Sequence, residues 1–307
     1  MPLAQPLVRV SVSEREEKAL HYAISGAMHH PLLLVLVKVT IFSLMLAIGC
    51  NLSFEKMRSF WRKPALVFRA LLAVVVLVPL VVILLLKLFN LPPAVMIGLA
   101  ILAASPGAPL TTKRSQQAGG SFHYSASLQL TLAILAVFVT PITLAIFAAL
   151  FASISQKVAI LEVARQVIMV QLLPVSLGIL MQKFTPTFTQ QIAKPLTFIA
   201  NSLFLGLVVL VCILGLPMFS KVGELPLVAI AIMVIASLGI GHALGRFDDD
   251  TRSTLAIFCI ARNFGLALFI AILNHVQQQV IPTLVAYLIL GAFVGVFYSF
   301  WNKCRLP

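Results

Sequence analysis

One arginine and the asparagine that follows it lie deep inside an apolar stretch of the sequence. Arg262 is about ten residues from either end of the segment 251–275, which is ~15 Å along a helix axis. An arginine side chain cannot reach water over that distance, so we expect it to face the protein interior. A guanidinium there can satisfy the carbonyl end of a helix or bind an anionic ligand. Asn263 can hydrogen-bond loose backbone or the same ligand.

A second interruption lies earlier, in the apolar segment 93–119. Two prolines within four residues remove two backbone donors, so a helix cannot pass through unbroken. A broken helix at membrane depth is tolerated where it lines a cavity, and it indicates a transporter binding site. Two basic residues follow the break; they either reach water at the helix end or form a basic lining that concentrates anions. The break contains Pro106, Gly107 and Pro109, and the basic residues are Lys113 and Arg114.

The composition is that of a polytopic membrane protein. The chain has 307 residues, of which 61% are hydrophobic and only 10% are charged, and its mean hydropathy is +1.07. A soluble domain is about half apolar and a quarter charged. The length predicts one membrane unit over 32–302, with terminal tails at 1–31 and 303–307.

The acidic and cysteine residues argue against an intramembrane enzyme. All nine Asp and Glu residues lie in loops, in the N-terminal tail or near segment ends. The four cysteines have no CxxC spacing, which argues against a metal site. No cluster at membrane depth could supply acid–base or metal chemistry. We therefore predict no enzymatic activity and no resident cofactor.

Nine apolar segments each approach the ~20 residues that a membrane helix needs. Prolines inside three of them, Pro79, Pro141 and Pro174, predict kinks rather than ends. The segments are 32–52, 64–89, 93–119, 122–151, 158–182, 193–218, 224–246, 251–275 and 278–302.

The net charge of +13 predicts orientation rather than nucleic-acid binding, because Lys and Arg mark cytoplasmic loops of membrane proteins. The loop 53–63 and the C-terminal end are basic, so we expect both in the cytoplasm. With nine helices the N-terminus is then outside. We predict an integral protein of the bacterial inner membrane, in contact with the lipid bilayer, and a monomer is compatible with these features.

The order of these features resembles the bile acid:sodium symporter family, over about 32–302. The first break resembles the family signature Cys-Pro-Gly-Gly-Thr-Ala-Ser-Asn. The second resembles the pattern Glu-x-Gly-x-Gln-Asn. The matching stretches are Leu91-Pro92, Gly98, Ser105-Pro106-Gly107, Gly119-Gly120, Leu172-Leu173-Pro174-Val175, Gly178 and Thr254–Leu268.

The resemblance implies an all-α fold of two inverted repeats, with two broken helices that cross at mid-membrane. The family has ten helices, so the nine apolar segments predict that the counterpart of the first is missing from this chain. The resemblance also divides the unit into panel helices (about 32–52, 158–182 and 193–218) and core helices (about 64–151 and 224–302).

The family's sodium sites can be transferred position by position. At the first site the counterparts all bear oxygen and could coordinate a hard cation. At the second, the resemblance puts an apolar residue in place of a glutamate, and an arginine in place of a glutamine. A like charge ~4 Å from sodium would cost about 4 kcal/mol. The first site's positions are Thr111, Thr112, Ser125 and Gln129; the second site's are Val74, Phe258 and Arg262.

The resemblance implies a secondary transporter or facilitator of a small organic anion that works by alternating access. Arg262, Asn263, Thr111 and Thr112 are the predicted substrate-binding residues. Sodium coupling is expected to be lost or altered at the second site. Two alternatives stay open: a sodium-coupled symporter of bile-acid-like anions that uses the remaining site, and a sensor or scaffold that keeps the fold and transports nothing.

Overall fold

The computed structural model describes residues 31–51, 58, 60–108, 110–219, 222–245 and 248–304. Pro109, most of the N-terminal tail 1–31 and residues 305–307 of the C-terminal tail lie outside the described residues. Within the described part every regular element is helical, so the predicted all-α class is confirmed. The helices are α1 Pro31–Cys50, α2 Pro64–Leu88, α3 Pro93–Ala103, α4 Thr111–Gln117, α5 Phe122–Leu150, α6 Ala152–Ser155, α7 Ile160–Phe184, α8 Pro186–Phe219, α9 Glu224–Leu244, α10 Asp249–Ile260, α11 Phe264–Leu273 and α12 Gln277–Lys303.

Eight stretches of the described chain are long and apolar enough to cross a membrane, counting α10 and α11 as one. The shorter apolar helix α3 and the polar helix α4 occupy the segment that the sequence predicts as broken. The chain is therefore an integral membrane protein. The count of nine spans and the inverted repeats stay predictions.

Most predicted segments begin and end within a few residues of a helix, but one prediction is wrong. The segment predicted to start at 193 begins at Pro186, because a proline at the first helical position starts the helix before its apolar part is reached. The short helix Ala152–Ser155 was also not expected.

Two of the three interior prolines follow an irregular turn. A π-helical turn, Leu72–Leu77, lies immediately before Pro79, and a second, Ile168–Leu172, lies before Pro174. Such turns bend a helix and free backbone groups. Pro141 lies inside α5 without interrupting it.

The helices α1, α7 and α8 pack against one another, while α9 packs against α10, and α12 packs against α3 and α9. The α1–α7 contact needs glycine: a Cβ added to Gly178 would lie 2.7 Å from the Cys50 nitrogen and from the Leu46 carbonyl oxygen. Small residues permit such close backbone approach between membrane helices. The assignment of helices to a panel and a core stays a prediction.

Candidate functional site

The two helix breaks meet inside the protein. The backbone N–H of Asn263, between α10 and α11, donates to the carbonyl of Ser105, just beyond α3, at 2.8 Å. Both residues are buried. A backbone hydrogen bond between two interruptions satisfies one donor and one acceptor that neither helix can satisfy alone.

The guanidinium of Arg262 lies at this crossing and binds backbone carbonyl groups. Its two terminal nitrogens each lie 3.2 Å from the carbonyl oxygen of Val74, and one also donates to the carbonyl of Ala103 at 3.4 Å. The residue is 4% exposed. Ala103 ends α3, where orphan carbonyls carry partial negative charge. The arginine thus offsets the partial negative charge of carbonyls in a bent helix and at the end of a broken one, and no carboxylate pairs with it among the described residues.

The Val74 carbonyl is available because of Pro79. In the π-helical turn the N–H of Val78 bonds to the carbonyl of Ala73, five residues back. In the same register the partner of Val74 would be the nitrogen of Pro79, which carries no hydrogen. The proline therefore leaves a free carbonyl in the protein interior, where Val74 is buried, and Arg262 supplies its donors.

A tyrosine that sequence reasoning missed supports the second break. The hydroxyl of Tyr287, on α12, donates to the carbonyl of Ile260, the last residue of α10, at 2.8 Å. Tyr287 is 4% exposed. A buried tyrosine generally needs a partner for its hydroxyl, so a tyrosine in the middle of an apolar segment was the signal that could have indicated this contact.

The first break is held differently. Gly107 has φ 75°, a left-handed conformation that glycine adopts without steric cost. The side-chain nitrogen of Gln129, on α5, donates to the Gly107 carbonyl at 3.2 Å. The side-chain oxygen of Gln129 is buried and has no donor within the described part of the chain.

The other residues of the predicted first cation site bond to nearby backbone. The Thr111 hydroxyl donates to the carbonyl of Ala108 at 2.7 Å, and the Ser125 hydroxyl donates to the carbonyl of Ser121 at 2.7 Å. Thr112 is half-buried at the start of α4. The oxygens are thus present on α4 and α5, and their use as cation ligands stays a prediction.

Two of the three positions of the predicted second cation site are in direct contact, and one of them supplies a cation that belongs to the chain. Val74 accepts hydrogen bonds from Arg262, and Phe258 lies one turn before Arg262 with no exposed surface. An aromatic ring therefore lies where the resemblance expects a carboxylate. Among the described residues no group of three or more His, Cys, Asp or Glu side chains could hold a metal ion.

Asn263 has a structural role. Its side-chain oxygen accepts the backbone N–H of Leu266 at 3.0 Å and so caps the start of α11. Asparagine is among the preferred residues for such a cap. The carbonyl oxygen of the amide is therefore already engaged, and substrate binding by Asn263 stays a prediction.

A cavity of about 140 Å³ lies between the two breaks and the helix α8. Its walls are mostly apolar, but Arg114 and Arg262 both line it, together with Thr111 and Tyr287. Lys113 does not line it and is exposed on α4. Mostly apolar concave sites with a few polar groups are typical of small-molecule binding. The remaining lining residues are Leu102, Ala108, Leu110, Phe204, Leu205, Val208, Ile260, Ala261, Phe264, Leu288, Gly291 and Ala292.

Comparison with known proteins decides the family. The model of the sodium bile acid symporter family matches residues 38–221. The chain belongs to this family. The match confirms the resemblance and assigns the chain to a family of membrane transporters of small molecules rather than of enzymes.

Relatives match over most of the chain. Human P3 protein is 27% identical over an alignment that covers 85% of this chain and 55% of P3. The rice (Oryza sativa subsp. japonica) protein named probable sodium/metabolite cotransporter BASS2, chloroplastic, is 23% identical over 86% of this chain and 63% of its own length. The Bacillus subtilis protein named uncharacterized sodium-dependent transporter YocS is 22% identical over 86% of this chain and 83% of its own length. The chain thus spans little more than half the length of human P3.

Proposed function

We propose that the chain is a secondary transporter of a small organic anion, that it works by alternating access, and that Arg262 replaces sodium at the second cation site. The observation that carries the proposal is the buried guanidinium of Arg262, bound to the carbonyls of Val74 and Ala103. A fixed charge there stabilises the crossing of the breaks without an ion. The same residue lines the cavity, where it attracts an anion.

The direct test is counterflow of a labelled carboxylate through the purified protein in proteoliposomes. Exchange of external label for unlabelled internal anion is the expected result, since a transporter must present the cavity to both sides in turn. A panel of carboxylates and sulfonates that vary in apolar bulk would find the substrate. Binding without any counterflow would favour the sensor or scaffold instead.

Sodium symport through the first site is the second candidate function. The names of the rice and Bacillus relatives favour it, and so does one observation. The buried side-chain oxygen of Gln129 has no donor among the described residues, and an unengaged carbonyl oxygen is a ligand for a hard cation. The same counterflow assay, run with sodium and with choline, separates the two candidates.

The proposal includes an orientation in a bacterial inner membrane. The basic loop 53–63 and the C-terminus would face the cytoplasm. Cys304 is an exposed free cysteine just beyond α12. A membrane-impermeant thiol reagent should therefore label Cys304 in inside-out vesicles but not in intact cells, and the reverse pattern would contradict the orientation.

A further inference from the structure

We infer that the cavity selects small dianions, with two carboxylate-like groups, over monoanions of the same length. This inference rests on the proposed function, because it concerns the same cavity. It is carried by two arginines, Arg114 and Arg262, which line one cavity from two different helix breaks.

The charge count of the cavity is the first step. Arginine stays protonated in proteins, so Arg114 and Arg262 contribute two positive charges to the lining of the cavity. The described acidic residues all lie at or near helix starts, and none of them lines the cavity. A ligand with one negative charge leaves one guanidinium without an anionic partner, whereas a dianion matches both. The described acidic residues are Glu162, Glu224, Asp248, Asp249 and Asp250.

Within the described part of the chain, no carboxylate pairs with either guanidinium. Arg262 donates to the neutral carbonyl groups of Val74 and Ala103, and its Nε–H has no acceptor within the described part of the chain. Arg114 is exposed on the polar helix α4, in the turn after Thr111. A carboxylate that meets either group gains a charge-assisted hydrogen bond, which is about twice as strong as a neutral one.

The size and lining of the cavity restrict the dianion. A cavity of about 140 Å³ is comparable to an engineered cavity that takes one benzene molecule. The apolar lining residues include Leu102, Phe204 and Phe264, which suit a short methylene chain. The ligand class is thus a short-chain dicarboxylate or an isostere with two anionic groups.

The test compares two probes of equal length, glutarate and pentanoate, as choline salts at constant ionic strength. Each is titrated as a competitor of counterflow and as a ligand that raises the thermal midpoint of the purified protein. We expect glutarate to bind about 10- to 100-fold more tightly, as one added charge-assisted hydrogen bond would give. Equal affinities for the two probes would overturn the inference and leave the proposed function standing. Failure of both probes and of all other organic anions to bind would instead contradict the proposed function.

Matched variants test whether the preference for glutarate over pentanoate arises in the cavity. Arg114→Gln should reduce the affinity for glutarate to that for pentanoate, while Lys113→Gln should leave the preference intact, because Lys113 carries the same charge but lies outside the cavity. Arg114→Lys retains the positive charge but loses the bidentate geometry of the guanidinium, so this variant should keep part of the preference for glutarate. Equal losses in Arg114→Gln and Lys113→Gln would show a general surface potential and contradict the inference.

Discussion

The two helix breaks satisfy their backbone carbonyls in different ways. At the first, a neutral amide from Gln129 donates to the Gly107 carbonyl, and a left-handed glycine turns the chain. At the second, the chain turns through Ala261 with φ −84° and Asn263 with φ −74°, and a guanidinium from within the break binds carbonyls of two other helices.

The difference indicates where a fixed charge stabilises a helix break. In both breaks the long helix that follows supplies a donor to a break carbonyl, Gln129 on α5 and Tyr287 on α12. At the second break a cation also binds backbone carbonyls, and it does so where α2 presents a carbonyl freed by Pro79. Three helices, α2, α3 and α10, are thereby joined at one charged side chain. The first break depends on backbone conformation, and the second on electrostatics.

Removing the cation should have the largest effect. Arg262→Ala leaves the carbonyls of Val74 and Ala103 without this donor, and each buried unsatisfied group costs about 1–3 kcal/mol. We therefore expect a loss of about 2–5 kcal/mol in the free energy of unfolding and no measurable transport. Thermal midpoints in detergent and counterflow rates would measure both. Wild-type values for stability and transport would restrict Arg262 to a peripheral role.

A second substitution sharpens this result. Pro79→Ala gives back an N–H in register with the Val74 carbonyl, so in the Arg262→Ala background it should recover about 1 kcal/mol. In the wild-type background the new N–H competes with Arg262 for the same carbonyl, so it should add much less to the free energy of unfolding. A double-mutant cycle over the two positions measures the coupling, and additive effects would show that Pro79 does not prepare the arginine's site.

The first break should be sensitive to backbone conformation instead. Gly107→Ala forces an L-residue into the left-handed region, at about 1–2 kcal/mol, and its Cβ would lie 3.1 Å from the Cβ of Leu132. The control is Gly206→Ala on α8, where an added Cβ meets nothing within 4 Å and alanine is the better helix former. A thermal midpoint of Gly107→Ala at or above that of the control would contradict the dependence on glycine.

The supporting side chains of Tyr287 and Gln129 should contribute least to the free energy of unfolding. Tyr287→Phe should cost about 0.5–1.5 kcal/mol, because the Ile260 carbonyl still accepts the backbone N–H of Arg262 at 3.1 Å. Gln129→Leu should cost less still, since it removes a donor but also a buried oxygen that has no donor among the described residues. A larger loss in Gln129→Leu that depends on sodium would favour a cation at the first site.

Much of this arrangement follows from residue types along the chain. Proline and glycine spacing predicts the first break, and an arginine far from either end of an apolar segment predicts an interior charge near the second. The contact of Arg262 with Val74 could not be predicted, because it depends on a π-helical register five residues before Pro79. The roles of Tyr287 and of Asn263 as a helix cap also depend on which helices meet, which the local pattern does not encode.

The sodium dependence of counterflow tests the central claim most directly. The purified protein would be reconstituted with its anionic substrate on both sides, and the exchange rate would be compared in sodium and in choline salts at equal ionic strength. If Arg262 is the built-in cation and no sodium binds at the first site, as the proposed function requires, the wild-type rate will be the same in both salts. A rate that falls to background when sodium is removed would contradict the account.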